Sequence, residues 1–429
     1  MATITPAKPR GGRDARPPQR REAARLRSTA TAWLKHPLAS MYLVAVPSAL
    51  LLGIGTIMVW SASSVFAYAQ FGDAYYFIER QLQWVGIGLV VVFITQKVRV
   101  EALKRLGWVA FLGTGVLMVL TFIEPFKYCV KGNCNWINLS SNSMLRLQPS
   151  EFAKIAIILW AATLFTAKRK VLAEPRHLLI PFVPGAALLV GLTMMQHDLG
   201  TAIVLGMIMV SLLWCVGASW RILGAIGGLA AVGAIALAVL EPARMRRILG
   251  FLNPALDPQG TNFQPNQAQL GMATGGWWGV GIGGSRQKWG SLSEAHTDYV
   301  LAIIGEELGV LGTLLVIVLL LALGYAGLRI ALRSGSFFAR IVAAGITCWL
   351  MAQAMINVFV VLRLLPVLGV TLPLVSYGGS SLVVNLIAIG ILLACAREEP
   401  EAQAFLDRRR RSKQPRARLS AVLPVIRRR

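Results

Sequence analysis

Ten apolar stretches divide the chain between Met41 and Ala396, at residues 42–64, 81–97, 106–123, 152–167, 178–195, 199–217, 222–240, 299–328, 339–361 and 381–396. A hydrocarbon layer about 30 Å thick takes roughly 20 apolar residues per helix, so this pattern predicts about ten transmembrane helices. The polar intervals are short except at 124–150 and 241–298. The intervals 97–105, 168–177, around Arg221 and 329–340 all carry Lys or Arg and fall on one face of the bilayer, the face that positive charge holds inside. The expected fold class is therefore an all-α polytopic membrane protein with both termini cytoplasmic and a large extracytoplasmic loop between helices 7 and 8. Its organisation is a basic tail at 1–36, a transmembrane domain at 37–396 that includes the loop 241–298, and a second basic tail at 397–429.

Composition sharpens this picture. Hydrophobic residues make up 55% of the 429 and charged residues 14%, with mean hydropathy +0.61, which leaves no room for a large soluble domain. The net charge of +24 and pI near 10.8 would suggest nucleic acid in a soluble protein. Yet the tails hold nine Lys/Arg against two acids and eleven against four, so they supply +14 of the total. Basic, Pro-containing segments beside spans read as disordered anchors to anionic membrane lipid, and no nucleic acid is expected. No cleavable signal peptide is expected, because the first apolar stretch is too long and follows a long basic tail. Cys215, Cys348 and Cys395 sit in apolar runs as small packing residues, whereas Cys129 and Cys134 share an external loop, either as a local disulfide or as two free thiols.

Four segments carry chemistry. In 275–289, glycines, Trp277, Trp278, Trp289, Arg286 and Lys288 come together. Glycine admits close backbone approach, cations meet phosphate, and tryptophan faces suit sugars or the headgroup level. In 293–309, Asp298 opens a helix near Glu294, Glu306 and Glu307 in a sequence poor in acids, and crowded carboxylates raise the pKa of one toward that of a general base. The plain reading of Asp298 is a helix cap. In 148–154, Pro149 suits a first helical turn, and Glu151 and Lys154 pair at i, i+3. In 365–381, two prolines and paired glycines interrupt helix at membrane depth, which is tolerated where backbone lines a cavity.

Together, Gln-Pro-Ser-Glu-x-x-Lys at 148–154, Gly-Gly-Trp-Trp-Gly to Arg-Gln-Lys-Trp at 275–289, Glu-Ala-His-Thr-Asp to Gly-Glu-Glu-Leu-Gly at 294–309, and Leu-Pro-Leu-Val-Ser-Tyr-Gly-Gly-Ser-Ser at 372–381 resemble the SEDS proteins, which include FtsW, RodA and SpoVE. The chain is most like FtsW of high-GC Gram-positive bacteria, on Gly-Asn-x-Asn-Trp-Ile at 132–137, Ser-Arg-Gln-Lys-Trp at 285–289 and the long basic tails. The family pattern has Pro where Ser293 stands, a polar residue such as Gln at Cys134, Gly at Arg363, and Thr or Lys at Leu368.

This resemblance implies a peptidoglycan glycosyltransferase that polymerises lipid II during division, at the septum and on the outer face of the plasma membrane. Its partners would be lipid II, undecaprenyl-pyrophosphate-linked glycan, a class B penicillin-binding transpeptidase and other divisome proteins. Asp298 falls on the family's essential acid, Glu151 and Lys154 on a conserved pair, and Trp136 on a sensitive tryptophan. The further candidates for the substrate cavity are Gln148, Ser150, Asp198, Arg246, Arg247, Gln264, Arg286, Lys288, His296, Ser376 and Ser380. Inverting transfer needs one base, here Asp298, because pyrophosphate leaves as an anion that cations stabilise. Arg244, Arg246, Arg247, Arg286 and Lys288 are candidates for that task, with a divalent cation, Mg or Mn, as a further candidate whose ligands the sequence does not single out. The alternatives are a lipid II flippase, which would place ionisable residues deep in several spans, an elongation-type polymerase like RodA, and a non-catalytic division scaffold working through the tails.

Overall fold

The computed structural model describes residues 34–413 apart from 125, 131–132, 139–145, 173, 241, 254–259, 261, 291 and 293–294. Most of the N-terminal basic tail and residues 414–429 of the C-terminal one, together with Ser293 and Glu294, thus lie outside the described residues. Nine helical stretches among the described residues are long and apolar enough to cross a bilayer. They are α1 (Ala39–Phe71), α2 (Tyr76–Thr95), α3 (Val100–Leu120), α4 (Pro149–Ala167), the pair α5 (Pro175–Leu179) and α6 (Phe182–Met195), α7 (Leu199–Val216), α12 (Gly309–Arg333), α13 (Phe337–Val361) and α14 (Gly379–Arg397). A further apolar helix, α8 (Trp220–Leu240), occupies the seventh predicted stretch. The ten predicted stretches therefore each coincide with helix.

The differences lie between the spans. The stretch 299–328 is not one helix but two, α11 (Val300–Glu307) and α12, broken at Leu308. The cause is local. Gly309 takes φ 68° and packs so tightly on the 275–281 loop that a Cβ there would lie 2.5 Å from the Gly279 nitrogen. The long interval 241–298 holds two helices of its own, α9 (Pro242–Leu252) and α10 (Phe263–Gly275). The interval 124–150 forms an antiparallel sheet of β1 (Lys127–Val130), β2 (Asn133–Asn138) and β3 (Arg146–Leu147), with Tyr128 opposite Trp136 and Ile137 opposite Leu147. Cys129 and Cys134 are joined by a disulfide across the hairpin. The C-terminal tail, expected without structure, begins as α15 (Pro400–Lys413).

The core sits around α4 and α14, whose apolar windows are 78% and 89% buried, against 11% for α2. Around them, α4 packs on α3, α7 and α13, and α14 on α2 and α1. Apolar stripes such as Leu106, Val109, Leu112 and Val116 of α3 face outward. In water such a face would be costly, whereas in hydrocarbon it is the expected exterior.

Candidate active site

Asp298 ends the long loop just before α11, and the last turns of α13 hold its backbone. Trp349, Gln353 and Asn357 recur at i, i+4 and i+8, so all three project from one face of α13. Asn357 Nδ2 donates to the carbonyls of Asp298 (2.8 Å) and Val370 (2.7 Å). Gln353 Nε2 donates to the Thr371 carbonyl (3.0 Å), while its Oε1 accepts from Trp349 Nε1 (2.7 Å) and Lys154 Nζ (3.3 Å). This ladder ties the Asp298 loop, the interrupted segment 362–378 and α4 into one frame. A Cβ at Gly369 would come within 3.6 Å of Asp298 Oδ2, so the backbone of the interrupted segment runs close to the carboxylate.

Asp298 lines a cavity of about 1340 Å³ at the end of the bundle that carries the hairpin and the long loop. Six arginines (Arg80, Arg146, Arg244, Arg246, Arg247 and Arg363) and Lys154 line it, against the carboxylates Glu151, Asp198 and Asp298. Glu151 and Lys154 are both buried and form a 2.7 Å ion pair across the first two turns of α4. Asp198 caps α7 by accepting from the Thr201 nitrogen (3.0 Å). Its other oxygen accepts from Asn135 Nδ2 (3.1 Å) and Gln148 Nε2 (2.9 Å). One carboxylate thereby fastens the hairpin and two spans around the cavity. Burial pushes the Tyr377 phenol above its ordinary pKa, with Arg80 opposing the shift.

Of the residues singled out in the sequence, Trp136, Gln148, Glu151, Lys154, Asp198, Arg246, Arg247, Gln264, Asp298 and Ser380 line this cavity together. Ser150, Arg286, Lys288, His296 and Ser376 do not. Lys288, expected to meet phosphate, is buried, and its Nζ donates to the Gly283 carbonyl (2.6 Å) and pairs with Glu307 (3.4 Å). Arg286 is exposed away from the cavity, and its backbone nitrogen donates to Glu306 Oε1 (2.8 Å). Glu306 and Glu307, expected to help tune a base, instead fold the glycine-rich loop: Glu306 also accepts from Ser285 Oγ (2.5 Å) and Glu307 from Ser61 Oγ (2.7 Å). Glu307 is thus paired with Lys288 and Glu306 is met by the Ser285 hydroxyl and the Arg286 nitrogen, where isolated charges would be costly.

His296 supports the site from behind. Its ring packs between Phe77 (4.7 Å) and Tyr377 (5.4 Å), and its carbonyl accepts from the Tyr377 nitrogen (2.9 Å). Ser376 Oγ accepts from the Leu372 nitrogen (2.9 Å), closing a turn. Ser150 is fully buried beneath the lining. Residues missed in the sequence are Arg80, Arg146, Arg363, Gln353 and Asn357. The polar Gln353 and Asn357 four residues apart inside an apolar span were the available signal for the ladder. Nothing comparable marks Arg80 and Arg146, and Arg363 stood out only as a departure from the family's Gly.

Residues 41–401 match the model of the cell cycle protein family that groups FtsW, RodA and SpoVE. The probable peptidoglycan glycosyltransferase FtsW of Mycobacterium tuberculosis is 38% identical over 384 residues, 90% of this chain and 73% of that protein. Stage V sporulation protein E of Bacillus subtilis is 37% identical over 358 residues, 83% of this chain and 96% of that one. Among solved structures, a chain of a peptidoglycan synthase complex that coordinates polymerization and crosslinking superposes with TM-score 0.67 at 26% identity, covering 86% of this chain and 99% of the other. The rod shape determining protein RodA of Thermus thermophilus gives TM-score 0.62 at 25% identity over 86% and 99%.

Proposed function

The chain belongs to the FtsW, RodA and SpoVE family of cell cycle proteins and is a multi-pass membrane peptidoglycan glycosyltransferase, and from that premise we propose that Asp298 is the general base of an inverting transfer between lipid II molecules. The observation that carries this is the position of an aspartate in the lining of a large cavity otherwise dominated by arginine. The Asp298 carboxylate takes the proton from the acceptor sugar's 4-hydroxyl as that oxygen attacks the anomeric carbon of the donor. The bond from that carbon to the phosphate oxygen breaks with its electron pair, releasing undecaprenyl pyrophosphate and forming a β-1,4 link. A pyrophosphate leaving group needs no acid if cations meet its charge, and Arg246 and Arg247 are placed in the lining to do so.

A divalent cation would need convergent oxygen or nitrogen ligands. Among the described residues no three His, Cys, Asp or Glu side chains form such a group, and the lining carboxylates Glu151 and Asp198 are already engaged by Lys154 and by Asn135 and Gln148. The donor set thus offers no closed all-protein cage, and an Mg or Mn ion would have to be held by one or two carboxylates together with the pyrophosphate oxygens. The cavity end faces outward, because the opposite ends of the spans carry Lys97, Arg99, Lys168, Arg169, Arg329 and Arg340. There, at the septum, a class B penicillin-binding transpeptidase crosslinks the product, in keeping with the structural similarity to a synthase complex that couples the two reactions.

The test is polymerisation of labelled lipid II by the purified protein with its transpeptidase, comparing wild type with Asp298→Asn after verifying that both fold and assemble. Glycan from wild type alone is the expected result, with a loss on the order of 10²-fold or more for removal of the base. Equal polymer from both removes Asp298 from that role.

A further inference from the structure

Six helices with described ends run into a residue at positive φ, and the identity of that residue sorts them. After α1, α7, α10 and α11 it is glycine, Gly72 at φ 72°, Gly217 at φ 98°, Gly276 at φ 53° and Gly309 at φ 68°. After α6 and α13 it is His197 at φ 62° and Arg363 at φ 58°. Around Arg363 the hydrogen bonds are those of a Schellman stop: the Arg363 nitrogen donates to the Val360 carbonyl (3.0 Å) and the Leu364 nitrogen to the Phe359 carbonyl (2.7 Å). Glycine is the inexpensive residue at that position, because a Cβ in the left-handed region crowds the backbone. Both non-glycine stops line the cavity, whereas the four glycines do not. Side chains held at a conformational cost and directed at one cavity point to a task for them there.

For Arg363 the task can be specified. Its guanidinium donates through Nη1 to Asn266 Oδ1 and through Nη2 to Asn262 Oδ1 (3.2 Å), side chains at the start of α10. Both acceptors are neutral amides, so they fix the fork of the guanidinium without cancelling its charge. A guanidinium has five N–H donors, which leaves further donors for a ligand. Arg363 and Arg247 line the same cavity as Asp298. The segment that begins at Arg363 continues to Gly369, opposite Asp298 Oδ2.

We infer that Arg363 is a phosphate-contacting residue of the cavity: held by Asn262 and Asn266, it forks onto the pyrophosphate of the lipid-linked donor together with Arg247. Oriented guanidinium groups bind phosphate oxygens in paired, charge-assisted hydrogen bonds, and such contacts strengthen as negative charge accumulates on the leaving group. The inference rests on the glycosyl-transfer reading of the cavity.

The test uses the full chain in detergent with inorganic pyrophosphate as the probe. Its affinity is read from the ligand-induced rise in unfolding temperature, and its potency from inhibition of lipid II polymerisation. Arg363→Gly suits the left-handed backbone, so this variant is expected to fold at least as well as wild type, and Arg363→Lys keeps the charge without the fork. Arg333→Gln, at the opposite end of the bundle, controls for unspecific loss of charge. The expected result is an affinity for pyrophosphate weakened about tenfold or more in Arg363→Gly, less in Arg363→Lys and unchanged in Arg333→Gln, with the inhibitory potency shifting in parallel. Unaltered pyrophosphate binding by a folded Arg363→Gly variant, whether or not polymerisation falls, overturns the inference, and so does a wild type that binds no pyrophosphate. Binding is read without turnover, so a wild type that binds pyrophosphate through Arg363 yet forms no glycan would defeat the proposed function and leave this inference standing.

Discussion

Lys154 shows what a single charged residue costs and does in this setting. It is 2% exposed in the second turn of a span, and its charge is tolerated because Glu151 and Gln353 accept from it. Removing one member of a buried pair strands the other, at a cost of about 3–5 kcal/mol. Lys154→Met is therefore expected to lower the unfolding temperature sharply. Adding Glu151→Gln should recover most of that loss without restoring polymerisation, because the polar wall of the cavity is still gone. Thermal unfolding and lipid II turnover of the single and double variants check both halves. At His197 the direction is opposite, since glycine relieves the left-handed backbone; His197→Gly should equal wild type in stability or exceed it by about 1 kcal/mol, as a melting curve would show. The pair Glu151 and Lys154 was legible because i, i+3 spacing on a helix is a geometric rule. Arg363 was marked only as a departure from the family's Gly, which points to the backbone position but not to the side chain's task, because its asparagine partners lie some hundred residues away.

Spans are the elements that sequence reports best, since burial in hydrocarbon demands length and apolarity and little else. The break at Leu308 escaped notice because the apolar run continues through it and what interrupts the helix is a distant loop closing on Gly309. Gly309→Ala would place a Cβ 2.5 Å from the Gly279 nitrogen in a left-handed backbone, so it should prevent proper folding. Gly206→Ala in α7, where a Cβ meets nothing within 4 Å, should be neutral or stabilising. Recovery of monodisperse protein in detergent separates the two. The hairpin was equally hidden, its strands being short and polar, but it brings Asn135 and Trp136 to the cavity. Opening the Cys129–Cys134 ring with serine at both positions frees a small loop worth about 2 kcal/mol in the chain-entropy account. The expected effect is a fall in lipid II turnover with little change in the unfolding of the bundle, and reducing agent applied to wild type should reproduce it.

At the scale of the whole molecule the distribution of charge is the strongest organiser, and it has two separate components. Basic residues at one end of the spans answer to the membrane, while the arginines at the other end answer to the cavity, where they outnumber the carboxylates. Sequence displayed the first component through the Lys and Arg carried by every connection on one face. Of the second it displayed only the run Arg244, Arg246 and Arg247, because Arg80, Arg146 and Arg363 come from three further segments that only the fold assembles. If these arginines draw in a pyrophosphate-bearing lipid from the outer leaflet, the two ends must face opposite compartments. Trp278, exposed in the long loop, and Gly335, in the turn between α12 and α13, mark those ends. In intact cells a membrane-impermeant maleimide is expected to label Trp278→Cys directly and Gly335→Cys only after permeabilisation. The disulfide-bonded Cys129 and Cys134 do not react, and parallel labelling of the parent chain sets the background from Cys215, Cys348 and Cys395. The reverse pattern would turn the arginine-lined cavity toward the cytoplasm. Asp298 would then act on substrate before its export, and the basic loops would violate the rule from which the orientation was read.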